Sequence, residues 1–312
     1  MSVEILGLDV TWDATLRNVV LCSMILGITS GALGCFAVLR RQSLIGDALA
    51  HAALPGICVM YMLTATRSSE LLLLGGAISG LIGTMFLTVI TRFSIVKAET
   101  ALGIVLSVFF GFGIVLLSRI QHSGDAGQSG LDRFIFGQAA TILPSDVRLM
   151  AIVAAIALGT VVLLFKEFKV LSFDPDFAAS LGLRPGLLSA VLAGLLVMAV
   201  MIGLQTVGVI LMVSLLIAPA VAARQWVSTL SGMVILAGIF GMMAGVTGAV
   251  MSSLVDRLPT GPMIVIAASV IVLFSLLFAP GRGVLSTLRA RHRRARQFRA
   301  GLEPTIHHRS VP

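Results

Sequence analysis

LLSAVLAGLLVMAVMIGLQTVGVILMVSLLIAPAVA, residues 187–222, carries no charged side chain, and a single amide, Gln205, stands near its middle. A helix rises ~1.5 Å per residue and a bilayer's hydrocarbon core is ~30 Å thick, so about 20 apolar residues cross it once. The stretch is too long for one crossing and suits two, divided at Gln205. Working outward, comparable apolar stretches fall at roughly 18–39, 44–64, 71–91, 101–118, 147–165, 231–252 and 262–280, bounded by charges and Pro/Gly clusters. In lipid every backbone polar group must be bonded within the segment, so each stretch is expected as a helix. Composition agrees: 57% of the 312 residues are apolar, only 12% are charged, and mean hydropathy is +1.05. Soluble domains run nearer half apolar and a quarter charged. A water-soluble enzyme is excluded, and the expected class is an all-α polytopic membrane protein of about 8–9 transmembrane helices. Glycines at 75, 76, 80, 83, 241, 245 and 248 point to closely packed helices.

The net charge of +8 is unevenly spread. From Arg282 onward there are eight arginines and one acid, Glu303, whereas residues 1–281 hold 14 basic against 13 acidic side chains. The excess is a tail beside the last apolar segment, which suits attraction to anionic lipid and not nucleic acid. Residues 1–281 are therefore read as one membrane domain and 282–312 as a basic cytoplasmic tail with little order. With nine spans and the N-terminus outside, sixteen basic residues fall inside and six outside, which satisfies the positive-inside rule. Were 187–222 one broken element, the count would be eight and the tail would face outward; nine is preferred. No basic segment precedes the first apolar run, which is read as a retained span and not a cleaved signal. Cys22, Cys35 and Cys58 all lie in apolar stretches and read as buried packing residues.

Two connections are long. Segment 119–146, which includes His122, is rich in Gly, Ser and Gln and is expected outside; segment 166–186 is expected inside. Within the latter, SFDPDFAASLGLRPG (172–186) has the design of a short helix. Asp174 is a good N-cap, Pro175 suits the first helical position, and Asp176 complements the helix dipole. Gly182 fits a left-handed stop and Pro185 follows it. A helix of about two turns persists only if something packs on it. That partner is either the protein's own inner face or a cytoplasmic subunit.

Ionisable residues inside the apolar stretches are few. Asp47 and His51, in RRQSLIGDALAHAALPGI (40–57), are four apart and share one helix face. Carboxylate oxygen and imidazole nitrogen make a partial ligand set for Mn²⁺, Fe²⁺ or Zn²⁺. An Asp–His hydrogen bond joining helices, without metal, is the competing reading. Pro55 would clash with the His51 carbonyl and leave that oxygen without its usual backbone donor, and Pro219 sits inside another apolar stretch; both are read as kinks. Asp47 lies six residues after Arg41, nearer the inner surface than the midplane. No G-x-x-x-x-G-K-[ST] loop, H-E-x-x-H or G-x-S-x-G occurs, so neither ATP binding by that loop nor intramembrane hydrolysis is indicated, and the chain is not read as an enzyme.

At these residues the sequence resembles the integral membrane permeases of the metal-ion ABC importers, the ABC-3 family that takes up manganese, zinc or iron. The resemblance covers roughly 17–280, through RRQSLIGDALAHAALPGI (40–57), GLDRFIFGQAATILPSDV (130–147), SFDPDFAASLG (172–182) and QTVGVILMVSLLIAPAVAARQ (205–225). The FGQAA phrase is nearer the manganese/iron branch, so manganese is expected first, with zinc and iron next. The resemblance implies an ABC importer permease-type bundle and a dimer, homomeric or heteromeric, around a central pathway. It also implies two cytoplasmic ABC ATPase subunits and an extracytoplasmic metal-binding protein as donor, in a bacterial inner membrane. Asp47 and His51 correspond to residues associated with metal passage. Asp174, Pro175, Asp176, Ala178 and Gly182 correspond to the helix that couples to the ATPase. No permanently bound cofactor is implied; the metal is cargo. A secondary metal/proton carrier needing no ATPase, and a non-transporting scaffold, are the rival expectations.

Overall fold

The computed structural model describes residues 2–5, 8–11, 14–42, 44–65, 68–122, 142–254, 258–280 and 283–286. A two-stranded antiparallel hairpin, β1 (Ser2–Ile5) and β2 (Leu8–Thr11), pairs Ser2 with Thr11 and Ile5 with Leu8. The hairpin was not expected; its strands are short and carry β-branched Val3, Ile5, Val10 and Thr11, which suit a pleated ladder.

Among the described residues, the remaining regular structure is helical. The elements are α1 (Ala14–Leu39), α2 (Ile45–Thr64), α3 (Ser69–Phe93), α4 (Ala98–His122), α5 (Pro144–Leu163), α6 (Phe165–Phe173), α7 (Pro175–Ser180), α8 (Pro185–Thr206), α9 (Val209–Trp226), α10 (Leu230–Leu254) and α11 (Thr260–Phe278). Eight of them (α1–α5, α8, α10 and α11) are long and apolar enough to cross a membrane. α9, at 18 residues, is ~27 Å long, close to the hydrocarbon thickness. Every apolar stretch read from the sequence becomes a helix with ends within about four residues of the expected ones. Gly208, at φ 84°, turns the chain between α8 and α9, so the break falls at Val207–Gly208 rather than on Gln205 itself.

The packing of α1 on α10 decides between eight and nine crossings. Ser23, Gly27 and Gly31 of α1 meet Gly245, Gly241 and Ala237 of α10 backbone to backbone, each pair one turn from the next and running in opposite directions. Two spans are antiparallel only if an even number of crossings separates them. That holds when α8 and α9 cross separately, and fails if they form one span. α11 then ends on the side that gathers Arg40, Arg41, Arg92, Lys97, Lys166, Lys169, Arg184 and Arg224.

Apolar helices in lipid gain little from hydrophobic burial against one another, so close backbone contact through small residues is what holds them. Gly241 has no room for a side chain, because a Cβ there would overlap the Gly27 carbonyl. Gly241→Leu is expected to lower the thermal midpoint of the detergent-purified chain steeply, by a penalty of ~3 kcal/mol or more. Gly103→Leu, where a Cβ meets nothing within 4 Å, should leave it unchanged. Equal midpoints for the two variants would show that this seam does not hold the bundle.

α1, α2 and α8 form the interior, while α4, α5 and α11 are mostly outward-facing. Cys22, Cys35 and Cys58 are buried and free. Most of the 119–146 connection, including the FGQAA phrase, and nearly all of the 282–312 tail lie outside the described residues. His122, expected in the loop, instead ends α4, its Nδ1 2.7 Å from the Ser118 carbonyl.

Candidate functional site

α2 begins just after the tight Arg40–Gln42 turn that reverses the chain from α1. Asp47 is therefore the third residue of α2 and His51 the seventh, which sets the imidazole only ~9 Å along the helix from its start. Asp47 in this first turn also meets the positive end of the helix dipole. The Asp47 Oδ1 and His51 Nε2 atoms are 3.3 Å apart. Their side chains are 32% and 18% exposed, so both reach partly open space. Phe110 of α4 packs edge-on against the imidazole, ring centroids 4.6 Å apart, and fixes the ring plane.

The separation suits a shared ion. Two ligand atoms at ~2.1 Å from one metal in tetrahedral arrangement lie about 3.4 Å apart. His51 Nδ1 is buried with no hydrogen-bond partner. If Nε2 ligates, the proton of the neutral ring must sit on this nitrogen. Among the described residues no group of three or more His, Cys, Asp or Glu side chains gathers to hold a metal. The pair offers two donor atoms, so any ion held there would need its other ligands from water, carbonyl oxygen or another subunit.

Pro55 lies inside α2 and Pro219 inside α9, and both helices continue through them. Pro55 cannot donate to the His51 carbonyl. One residue along, Ser79 of α3 donates from Oγ to the Ala52 carbonyl at 2.6 Å, tying α3 to α2 beside the pair. Cys58 is fully buried and serves packing.

The inner segment folds as its sequence suggests locally, with two differences. Asp174 caps α7, its Oδ1 accepting from the Asp176 and Phe177 amides at 3.1 and 2.9 Å, and Gly182 takes φ 80°. The helix, however, is six residues long and not two full turns. The preceding residues form α6 instead of open loop, because Phe168 and Leu171 bury against the core. Ala178 of α7 is completely buried. Phe173, Phe177 and Leu181 stand 63%, 53% and 57% exposed around it. Those three apolar side chains were not singled out from sequence, although their spacing of four was visible. Asp146 is a further buried carboxylate, accepting from the Leu143 amide at 3.1 Å at the start of α5; it reads as a helix cap in the L-P-S-D phrase.

The model of the ABC 3 transport family matches residues 13–279, nearly the whole helical bundle. The chain belongs to the ABC 3 transport family. The zinc transport system membrane protein TroC of Treponema pallidum is 51% identical to this ABC 3 chain over 282 residues, covering 90% of the chain and 94% of TroC. The manganese transport system membrane protein MntC of Bacillus subtilis is 47% identical over 279 residues, covering 88% of the chain and 64% of MntC. Among solved structures, PsaBC from Streptococcus pneumoniae in complex with Fab superposes with a TM-score of 0.78 at 30% identity, covering 89% of the chain and 96% of that one. This ABC 3 chain is accordingly a multi-pass transport permease, with an ABC permease fold.

Proposed function

We propose that the chain is the permease subunit of an ATP-driven importer that carries divalent transition-metal ions, manganese first and zinc or iron next, across a bacterial inner membrane. The Asp47–His51 pair, with ligand atoms 3.3 Å apart on one face of α2, is the observation that carries this reading. The carboxylate compensates an ion for part of its lost hydration, and two ligands hold it weakly enough to let it go. A second permease copy, or a sister permease, supplies the rest of the pathway. An extracytoplasmic binding protein delivers the ion, and the metal is cargo with no resident cofactor.

The energy comes from cytoplasmic ABC ATPase subunits that grip α7. The cap at Asp174, Pro175 at the first position, Asp176, the close-packed Ala178 and the stop at Gly182 make α7 a rigid peg, which suits transmission of a push. Residues 282–312 act as a basic anchor on the inner leaflet. The family match favours this reading over a secondary metal/proton carrier.

Co-purification from membranes tests it. An ATP-hydrolysing subunit is expected to follow the full chain, and manganese or zinc to compete with radioactive manganese for uptake by that complex. A chain that leaves the membrane without any ATPase, or uptake indifferent to every divalent ion, would overturn the reading.

A further inference from the structure

A groove of about 520 Å³ runs between α3 and α8 and is bordered at its inner end by the α1–α2 turn and the start of α4. Its mouth holds two cations, Arg40 and Arg92, and none of the residues lining it is acidic. Arg40 is largely buried and donates from Nη2 to Ser189 Oγ at 3.0 Å. A guanidinium carries five N–H donors, so this bond leaves most of its capacity open. Arg92 contacts the Phe93 ring, 5.9 Å from its centroid. Among the described residues no carboxylate lies within 4 Å of either guanidinium. Burial also lowers the Arg40 pKa, the mark of a cation deprived of water without a compensating anion.

Beyond the mouth the groove turns apolar. From Arg92 back to Leu81 is ~16 Å of helix, lined by Leu81, Met85, Leu192 and Leu196. Thr84, Thr88 and Thr91 spend their hydroxyl protons on carbonyls of their own helix, so they add no unmet donor. Leu81 and Met85 are exposed, so the groove opens sideways at the depth of the acyl chains and not into water.

We infer that this groove binds an anionic phospholipid of the inner leaflet, its phosphate held between Arg40 and Arg92 and one acyl chain lying along α3 and α8. Paired cations without a protein anion, at the level of the headgroups, match phosphate in charge, and the lateral apolar channel matches a chain. A free anion would have no use for the channel, and a neutral lipid none for the arginines. The site joins the end of α1, the start of α8 and the outer face of α3, so its occupant braces elements on both sides of the α1–α2 turn. It does not depend on which ion is transported.

Native mass spectrometry of the full detergent-purified chain tests this, with phosphatidylglycerol and phosphatidylcholine of identical acyl chains as probes and inorganic phosphate as competitor. Phosphatidylglycerol should be retained at least about tenfold better than phosphatidylcholine, and phosphate should not displace it. Arg40→Gln with Arg92→Gln should remove most of that preference, while Arg41→Gln, an exposed neighbour outside the groove, should keep it. Ala190→Trp fills the channel from an exposed position, leaves the charges intact, and should lower retention equally. Equal retention of the two lipids, displacement by phosphate, an Arg41→Gln effect as large as the double variant's, or full retention by Ala190→Trp would each overturn the inference. So would a lipid-free chain isolated as a dimer or ATPase complex with this groove protected from labelling, since protein would then be the occupant.

Discussion

Asp47→Ala and His51→Ala are each expected to reduce metal uptake by at least about 100-fold while the complex remains assembled. The size follows from ligand number. Loss of a mere outer-shell partner costs a metal site 10–100-fold, and removing one of two direct ligands in a half-site should cost no less. Assembly should survive because the pair contributes little to folding: an i,i+4 ion pair on a helix is worth only ~0.5 kcal/mol, and these side chains are partly exposed. Asp47→Asn separates the two readings of the pair. The amide keeps a hydrogen bond to His51 but loses the negative charge, so a structural pair tolerates it and a metal ligand does not. Uptake near that of the unaltered chain in Asp47→Asn would remove Asp47 from the pathway.

Phe177→Asp should release the ATPase. Phe177 is half exposed on α7, held by a helix whose other side is anchored through Ala178. Burying a phenylalanine at an interface gains ~2 kcal/mol, which corresponds to roughly 30-fold in affinity, and the introduced charge adds a desolvation penalty. The exposed position makes an effect on folding small, so the chain's thermal midpoint should hold while the ATPase is lost on purification. Asp174→Ala is the graded companion. It removes two capping hydrogen bonds, costs the helix about 1 kcal/mol, and should weaken coupling without abolishing association. An ATPase retained at full stoichiometry by Phe177→Asp would show that α7 is only a surface helix.

Features that depend on neighbours in sequence were legible before the structure. The spans follow from runs of apolar residues, and the cap and stop of α7 follow from Asp174, Pro175 and Gly182. The Asp47–His51 pair follows from helical spacing alone. Features that depend on which helices meet were not. The antiparallel seam of Gly27 on Gly241, which decides that α8 and α9 cross separately, joins residues more than two hundred positions apart. The α3–α8 groove gathers Arg40, Arg92 and Ser189 from three separate places in the chain, and no local pattern announces it. α6 escaped notice because its stability comes from burying Phe168 and Leu171, a tertiary effect on a segment whose charges read as loop.

Reconstitution of the full chain in sealed vesicles, with and without its ATPase subunits and external binding protein, sets a passive conduit against a self-sufficient carrier. Radioactive manganese should accumulate only when all subunits and ATP are present, and a pH gradient across vesicles holding the chain alone should drive none. Accumulation by the chain alone under that gradient would contradict a permease powered from outside itself.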